Sequence, residues 1–211
     1  MIFHDRITAG RKLAQRLSYL KNKEVVVLGL PRGGVPVAFQ VALELNAPLD
    51  VIVVRKLGVP FQPELAMGAV GEGGVVIKND EVIHMAKISA EQFTQAQTRE
   101  NGEVASRATK FREGRSPVSL KGRIALIVDD GIATGSTAQA ACDVARALGA
   151  EKVILAVPVG SKEAVAALTS RADEVICLEI PDNFFAVGEW YEDFSPVSDE
   201  EVVELLRKGH K

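Results

Sequence analysis

Two hydrophobic rhythms alternate along this chain. Short, dense apolar runs at 24–28, 49–54, 124–128, 153–157 and 174–178 are rich in Val, Ile and Leu, which reads as buried strands. Between them, 37–45, 136–148 and 162–171 carry apolar residues at helical spacing, and Ile7, Leu13, Leu17 and Leu20 form a similar stripe near the N-terminus. Strands alternating with helices predict a parallel sheet covered on both faces, because each parallel connection needs a crossover. Ser89-Ala-Glu-Gln92 has the form of a capping box and opens a polar helix that runs to about Arg112. Its apolar face is weak, so a protruding or loosely docked element is expected. The stretch from Arg55 to Gly74 is rich in Gly and Pro and reads as a long loop with short strands, a type of segment that often serves as a lid. Ser198-Asp-Glu-Glu201 caps a short C-terminal helix containing Val202, Val203, Leu205 and Leu206.

At 211 residues, with 47% hydrophobic content, the chain can build one α/β domain with a sizeable core. A formal net charge of −3 argues against a surface that coats nucleic acid. Cys142 and Cys177 are far apart in apolar contexts and read as core residues, not as a disulfide or a metal site. Asp5 comes early, no apolar leader region follows, and no run approaches membrane-spanning length. A soluble, cytoplasmic protein is therefore expected. His4, His84 and His210 are scattered without metal-ligand spacing, and no chemistry is assigned to them.

The chemistry concentrates after the 124–128 run. Asp129 and Asp130 sit where that strand ends, and a loop with Gly131, Thr134, Gly135, Ser136 and Thr137 leads into a helix. A glycine- and hydroxyl-rich turn at a helix N-terminus is an anion site, since its N–H groups converge where the helix dipole is positive. Paired carboxylates would repel a phosphate, so their natural targets are neutral donors such as vicinal hydroxyls. Phosphate on one side and a diol on the other suit a ribose 5-phosphate. The loop lacks the lysine of a G-x-x-x-x-G-K-[ST] motif, and no G-x-G-x-x-G occurs. Two more loops follow strands. Leu30-Pro-Arg-Gly-Gly34 offers a tight turn and a forked cation, although alone it also reads as a plain turn with a surface arginine. Arg55-Lys56-Leu57-Gly58 places two cations at a strand end, where solvated charges are equally at home.

Val128-Asp-Asp-Gly-Ile-Ala-Thr-Gly-Ser-Thr137 resembles the phosphoribosyl-pyrophosphate (PRPP) signature of type I phosphoribosyltransferases. The resemblance is strongest at 124–149 and clear at 25–39 and 51–60. It implies a single phosphoribosyltransferase-like domain over 1–211: a central, mostly parallel sheet with helices on both faces, a mobile loop, a helical insertion at about 80–118 and a C-terminal hood at about 180–196. It implies transfer of the 5-phosphoribosyl group from PRPP to a nitrogen acceptor, with Mg²⁺ carried by PRPP and no dedicated protein cage for it. Asp129 and Asp130 would hold the ribose hydroxyls and favour the developing cationic ring. Ala133, Thr134, Gly135, Ser136 and Thr137 would cradle the 5-phosphate. Arg32, Gly33, Gly34, Arg55 and Lys56 would face the pyrophosphate, and closure of 57–75 would exclude water.

The acceptor signals conflict. Hypoxanthine–guanine members usually carry an acid where this chain has Ala133; an alanine there is similar to adenine and uracil members, and Arg55-Lys56-x-Gly58 to adenine-type enzymes. Glu72 is a candidate replacement acid, and also reads as an exposed loop glutamate. Residues 180–194, Ile-Pro-Asp-Asn-Phe-Phe-Ala-Val-Gly-Glu-Trp-Tyr-Glu-Asp-Phe, resemble a hypoxanthine–guanine hood, with Phe185, Val187 and Trp190 as candidate base contacts. The same aromatics also suit packing of the C-terminal helix onto the core. The expected partners are PRPP and a small heterocycle or amine; nucleic acid and membrane are not expected, and a homodimer is compatible with the reading. A rival is a PRPP-sensing regulator, for which Arg99, Arg107, Lys110, Arg112 and Arg115 would form a basic strip.

Overall fold

The computed structural model describes residues 1–209; His210, to which the sequence assigned no chemistry, lies outside the described residues. Along the chain run α1 (Arg6–Arg16), β1 (Val25–Gly29), α2 (Gly34–Leu45), β2 (Leu49–Val51), β3 (Val54–Val59), β4 (Gln62–Gly71), β5 (Val76–Lys78), α3 (Asp80–Met85), α4 (Ala90–Arg112), β6 (Ile124–Val128), α5 (Ser136–Ala147), β7 (Lys152–Val159), α6 (Lys162–Leu168), β8 (Glu174–Glu179) and α7 (Asp199–Gly209). Five strands form a parallel sheet in the order β2-β1-β6-β7-β8. The apolar runs are unbroken because both faces of this sheet are covered. On β6, Leu126 and Val128 pack in one core layer with Leu13, Val37 and Val202 of α1, α2 and α7. Ala125 and Ile127 point the other way, into a layer with Ala141 and Val144 of α5 and Leu168 of α6. The α/β fold with a parallel sheet between helices is as the sequence implied.

Connections diverge between β1 and β6: from β1 the chain crosses to β2 on one side, and from β6 to β7 and β8 on the other. Such a switch point opens a crevice at the C-terminal ends of the strands. The register pairs Gly29 with Val128, so β1 and β6 end level and their following loops start side by side.

The stretch from Arg55 to Gly74 is not a long loop. It is mostly β3 and β4, which with β5 form a separate three-stranded antiparallel sheet. Register shifts around Gly58 explain why alternation was hard to see: Val54, Leu57 and Val59 are buried, a spacing of three and then two. The run expected at 49–54 is likewise divided, with β2 ending at Val51 and Val54 opening β3.

The long polar helix α4 starts as expected. Ser89 Oγ accepts from Gln92 N at 3.1 Å, and Gln92 Oε1 accepts from Ser89 N at 2.9 Å. It docks firmly where a protruding element was expected. Phe93, Val104 and Phe111 are buried, and the buried Arg112 guanidinium donates to Asp50 Oδ1 at 2.8 Å and Val51 O at 2.9 Å, and pairs with Glu72. Asp50 Oδ2 also accepts from Val118 N at 2.8 Å. A buried ionic clamp supplements the weak apolar stripe. Among the described residues, no helix is long and apolar enough to cross a membrane.

Candidate active site

The loops after β1 and β6 meet in direct backbone contact. A Cβ on Gly34 would stand 2.6 Å from Val128 O and 2.8 Å from Asp129 Cα, and one on Gly33 would stand 2.0 Å from Asp130 Oδ2. Gly34 has no room for a side chain against the backbone, and a side chain at Gly33 would displace the Asp130 carboxylate, so both glycines serve the close approach. Leu30 N donates to Val128 O at 2.9 Å, and the Pro31–Arg32 peptide is cis.

The two acids are fixed from opposite sides. Asp129 Oδ1 accepts from Asp130 N at 2.9 Å, and Asp130 Oδ2 accepts from Arg6 Nε at 2.8 Å. The second oxygen of each carboxylate accepts from no fixed donor of the chain among the described residues. The two carboxyls also lie within hydrogen-bonding reach of one another, which groups their remaining oxygens where two vicinal hydroxyls could be met. Burial, and then the neighbouring Asp130 charge, push Asp129 well above the ordinary carboxylate range. Burial also raises Asp130, against the hydrogen bond and charge of Arg6.

The hydroxyl loop is pinned to the sheet and left open outward. Ile132 N donates to Val159 O and Ser161 N to Ile132 O, both at 3.0 Å, and Ser161 Oγ donates to Ala133 O at 2.7 Å. Ala133, Thr134, Ser136 and Thr137 are exposed, and Gly135 takes a left-handed φ of 74° that favours glycine. The caps are informative. Asp5, Asn79, Ser89 and Ser161 side chains cap α1, α3, α4 and α6, whereas α2 and α5, which start at the two loops, have no side-chain cap. The first N–H groups of α5 are left for a ligand or water, whereas on α2 Gly34 N and Val35 N donate to Leu30 O and Arg32 O at 3.0 and 3.1 Å and Pro36 has no N–H.

The expected cations are not gathered together. Arg32 is half exposed, with Nη1 3.7 Å from Asp199 Oδ1. Strand alternation sends Arg55 and Lys56 to opposite faces of β3. Arg55 faces α4, 3.7 Å from Glu100 and 3.9 Å from Glu103, while Lys56 lines a 340 Å³ cavity together with Ser136 and Gln139. Glu72 is neither an exposed loop glutamate nor beside the acids. It lies in a short turn after β4, accepts from Val53 N at 2.8 Å and pairs with Arg112, so its carboxylate is already committed. Three of the five residues of the basic strip are engaged within the chain: Arg112 is buried, Arg115 donates to the Arg112 and Leu206 carbonyls, and Lys110 pairs with Asp199 at 2.6 Å, while Arg99 and Arg107 are exposed.

The hood folds onto the acid loop. Val187 touches Gly131, where a Cβ would stand 2.6 Å from Val187 Cγ1, and Tyr191 OH donates to Asp130 O at 2.6 Å. Phe3 N donates to Trp190 O and Glu192 N to Phe3 O, both at 2.8 Å, so the N-terminal segment straps the hood down. Phe184, Val187, Trp190 and Phe194 pack around Phe3 and Tyr191. Trp190 Nε1 is buried without a hydrogen-bond partner, and Phe185 stands 82% exposed. Arg6 and Tyr191 were not singled out from the sequence. Arg6 is 124 positions from the acid it pairs with, and no local motif marks such a contact.

Residues 3–194 match the phosphoribosyl transferase domain family. A Mycobacterium tuberculosis protein provisionally named a phosphoribosyl transferase is 58% identical over 210 residues, covering all of this chain and 47% of its own length. The chain therefore spans about half the length of the curated relatives it matches. The crystal structure of TT1426 from Thermus thermophilus is 42% identical and covers both chains fully, with a TM-score of 0.91. A Neisseria gonorrhoeae protein crystallised with bound ppGpp shares the fold at a TM-score of 0.51 and 13% identity, over 100% of this chain and 99% of its own.

Proposed function

The chain belongs to the phosphoribosyl transferase domain family, and we propose that it transfers the 5-phosphoribosyl group of PRPP to a nitrogen acceptor, a nucleobase, releasing pyrophosphate. The observation that carries this reading is the open N-terminus of α5 and the glycine loop before α2 meeting at one acid pair. The α5 terminus, with Ala133 to Thr137, takes the 5-phosphate. The loop before α2, with Gly33, Gly34 and the reachable Arg32, takes the pyrophosphate. The free oxygens of Asp129 and Asp130 accept the ribose hydroxyls and face the ring as it becomes cationic. Positioning and electrostatics carry such a step, since departure of pyrophosphate needs no covalent help from the chain. Mg²⁺ carried by PRPP, with its oxygen ligands drawn mainly from the diphosphate and water, would neutralise the leaving group. Salvage of a nucleobase in the cytoplasm is the setting this reaction implies.

The test is a panel of nucleobases and small amines incubated with PRPP and Mg²⁺, with pyrophosphate as the readout. Adenine is expected ahead of hypoxanthine and guanine. Ala133 offers no acid to the 6-oxopurine ring, and an unpaired buried polar group costs about 1–3 kcal/mol. Efficient turnover of hypoxanthine or guanine overturns the choice of base. Tight PRPP binding without release of pyrophosphate for any acceptor turns the reading into that of a sensor. No PRPP binding overturns it.

A further inference from the structure

Arg6 stands outside every sequence motif, yet it touches the acid loop, the hood and the loop after β1. Its Nε donates to Asp130 Oδ2 at 2.8 Å, its Nη1 donates to Ser195 O at 2.8 Å, and its guanidinium carbon lies 3.9 Å from the centre of the Phe194 ring. A Cβ on Gly33 would come within 3.3 Å of Nε, so the guanidinium also abuts the loop after β1. The Arg6 and Asp130 side chains are only 11% and 14% exposed, so solvent screens this pair less than a surface bridge.

We propose that Arg6 is a positioning residue for phosphoribosyl transfer: it aims Asp130 at the ribose hydroxyls and locks the hood to the acid loop. This rests on the reading of the site as a PRPP site. The guanidinium fork is what allows both tasks. One edge fixes Oδ2 of Asp130 and leaves Oδ1 for a hydroxyl. The other edge reaches the hood backbone, while the planar face stacks on Phe194. Lysine could supply the charge but not the fork or the stack. Without Arg6, Asp130 loses the opposing charge that resists burial, and a protonated Asp130 would donate where it should accept. The ionisable groups facing Asp130 are Arg6, Asp129 and the Tyr191 hydroxyl; Arg6 favours its charged form most, by hydrogen bond and charge, and a hydrogen bond from Asp129 adds less.

The experiment compares wild type with R6K, R6Q, D130N and the R6Q/D130N double variant. Ribose 5-phosphate and Mg-pyrophosphate are titrated separately by calorimetry. R6Q is expected to weaken ribose 5-phosphate binding about ten- to a hundredfold, the worth of one charge-assisted hydrogen bond. Pyrophosphate binding should stay within about twofold, inside the spread of independent sites. The double variant should bind ribose 5-phosphate no more weakly than D130N, because both changes remove one interaction. R6K should recover part of the loss, and keeps the test readable if R6Q unfolds. Equal loss of both ligands would make Arg6 a direct anion ligand and overturn the proposal, as would additive losses with D130N. A wild type that binds neither PRPP nor ribose 5-phosphate rejects the reading of the site. The Arg6–Asp130 link is then decided by the carboxyl ¹³C titration of Asp130, whose midpoint should rise in R6Q relative to wild type and rise less in R6K, which keeps the charge; an unchanged midpoint in R6Q overturns the link by itself.

Discussion

Asp129 works against the stability of the ligand-free protein. Burial and the adjacent Asp130 raise its affinity for a proton in the folded state, so ionising it disfavours the fold. The folded chain then binds more protons than the unfolded one between the ordinary carboxylate value of about 4 and the raised folded value. Over that window stability falls as pH rises. Asp129→Asn should therefore melt like wild type near pH 4 and above it at neutral pH, in calorimetric scans across that range. A mutant-to-wild-type difference that does not change with pH contradicts this. The same substitution should lower kcat/KM by about 2–4 kcal/mol of transition-state stabilisation, because the charge that burdens the empty protein serves the cationic ring. Gly34 is constrained from the other side. A methyl group there would overlap Val128 O at 2.6 Å, so Gly34→Ala should cost about 1–3 kcal/mol in urea unfolding and open the contact between the two loops.

Among elements, α4 depends most on a single residue. Arg112 joins it to β2 through Asp50 and Val51 and to the antiparallel sheet through Glu72, with side-chain exposures of 7%, 6% and 10% for Arg112, Asp50 and Glu72. Burial by itself would lower the Arg112 pKa, but hydrogen bonding to Glu72 and the charges of Asp50 and Glu72 outweigh it. Arg112→Met leaves two buried carboxylates without their cation, and should cost about 3–5 kcal/mol in urea unfolding. A loss below about 1 kcal/mol would mean that the pair behaves like a surface bridge. This clamp also shows what a sequence hides. The five parallel strands and their helices were legible because burial on two faces leaves continuous apolar runs, and the caps at Ser89 and Ser198 are local signals. The antiparallel sheet was not, because the shift at Gly58 breaks the period of two. The docking of α4 was not either, because it depends on Arg112 meeting Asp50, 62 positions away.

At the scale of the molecule, the candidate site is assembled from the middle of the chain and both of its ends. Arg6 and Phe3 come from one end, Val187 to Ser195 from the other, and the loops after β1 and β6 lie between them. The central loops were readable because each is a local motif at a strand end. Arg6 and Tyr191 were not, since their roles exist only once the ends are brought together. A ligand that spans these parts binds the folded chain and not the unfolded one. It should therefore stabilise the fold by about 2.7 kcal/mol at a free concentration of 100 Kd. At about 2–4 °C per kcal/mol for a chain of this size, Mg-PRPP should raise the Tm by about 5–11 °C. Thr134→Val with Ser136→Ala removes two exposed hydroxyls of the α5 loop that lie 3.4 Å apart and, among the described residues, hydrogen-bond to no distant side chain. This variant should melt like wild type without ligand and lose most of the rise with Mg-PRPP, because the 5-phosphate loses both hydroxyl donors while the backbone cradle stays. A full rise in the variant would remove those hydroxyls from the site. A rise with Mg-pyrophosphate alone as large as that with Mg-PRPP would mean that the α2 loop binds the ligand by itself, with the ribose loop unused.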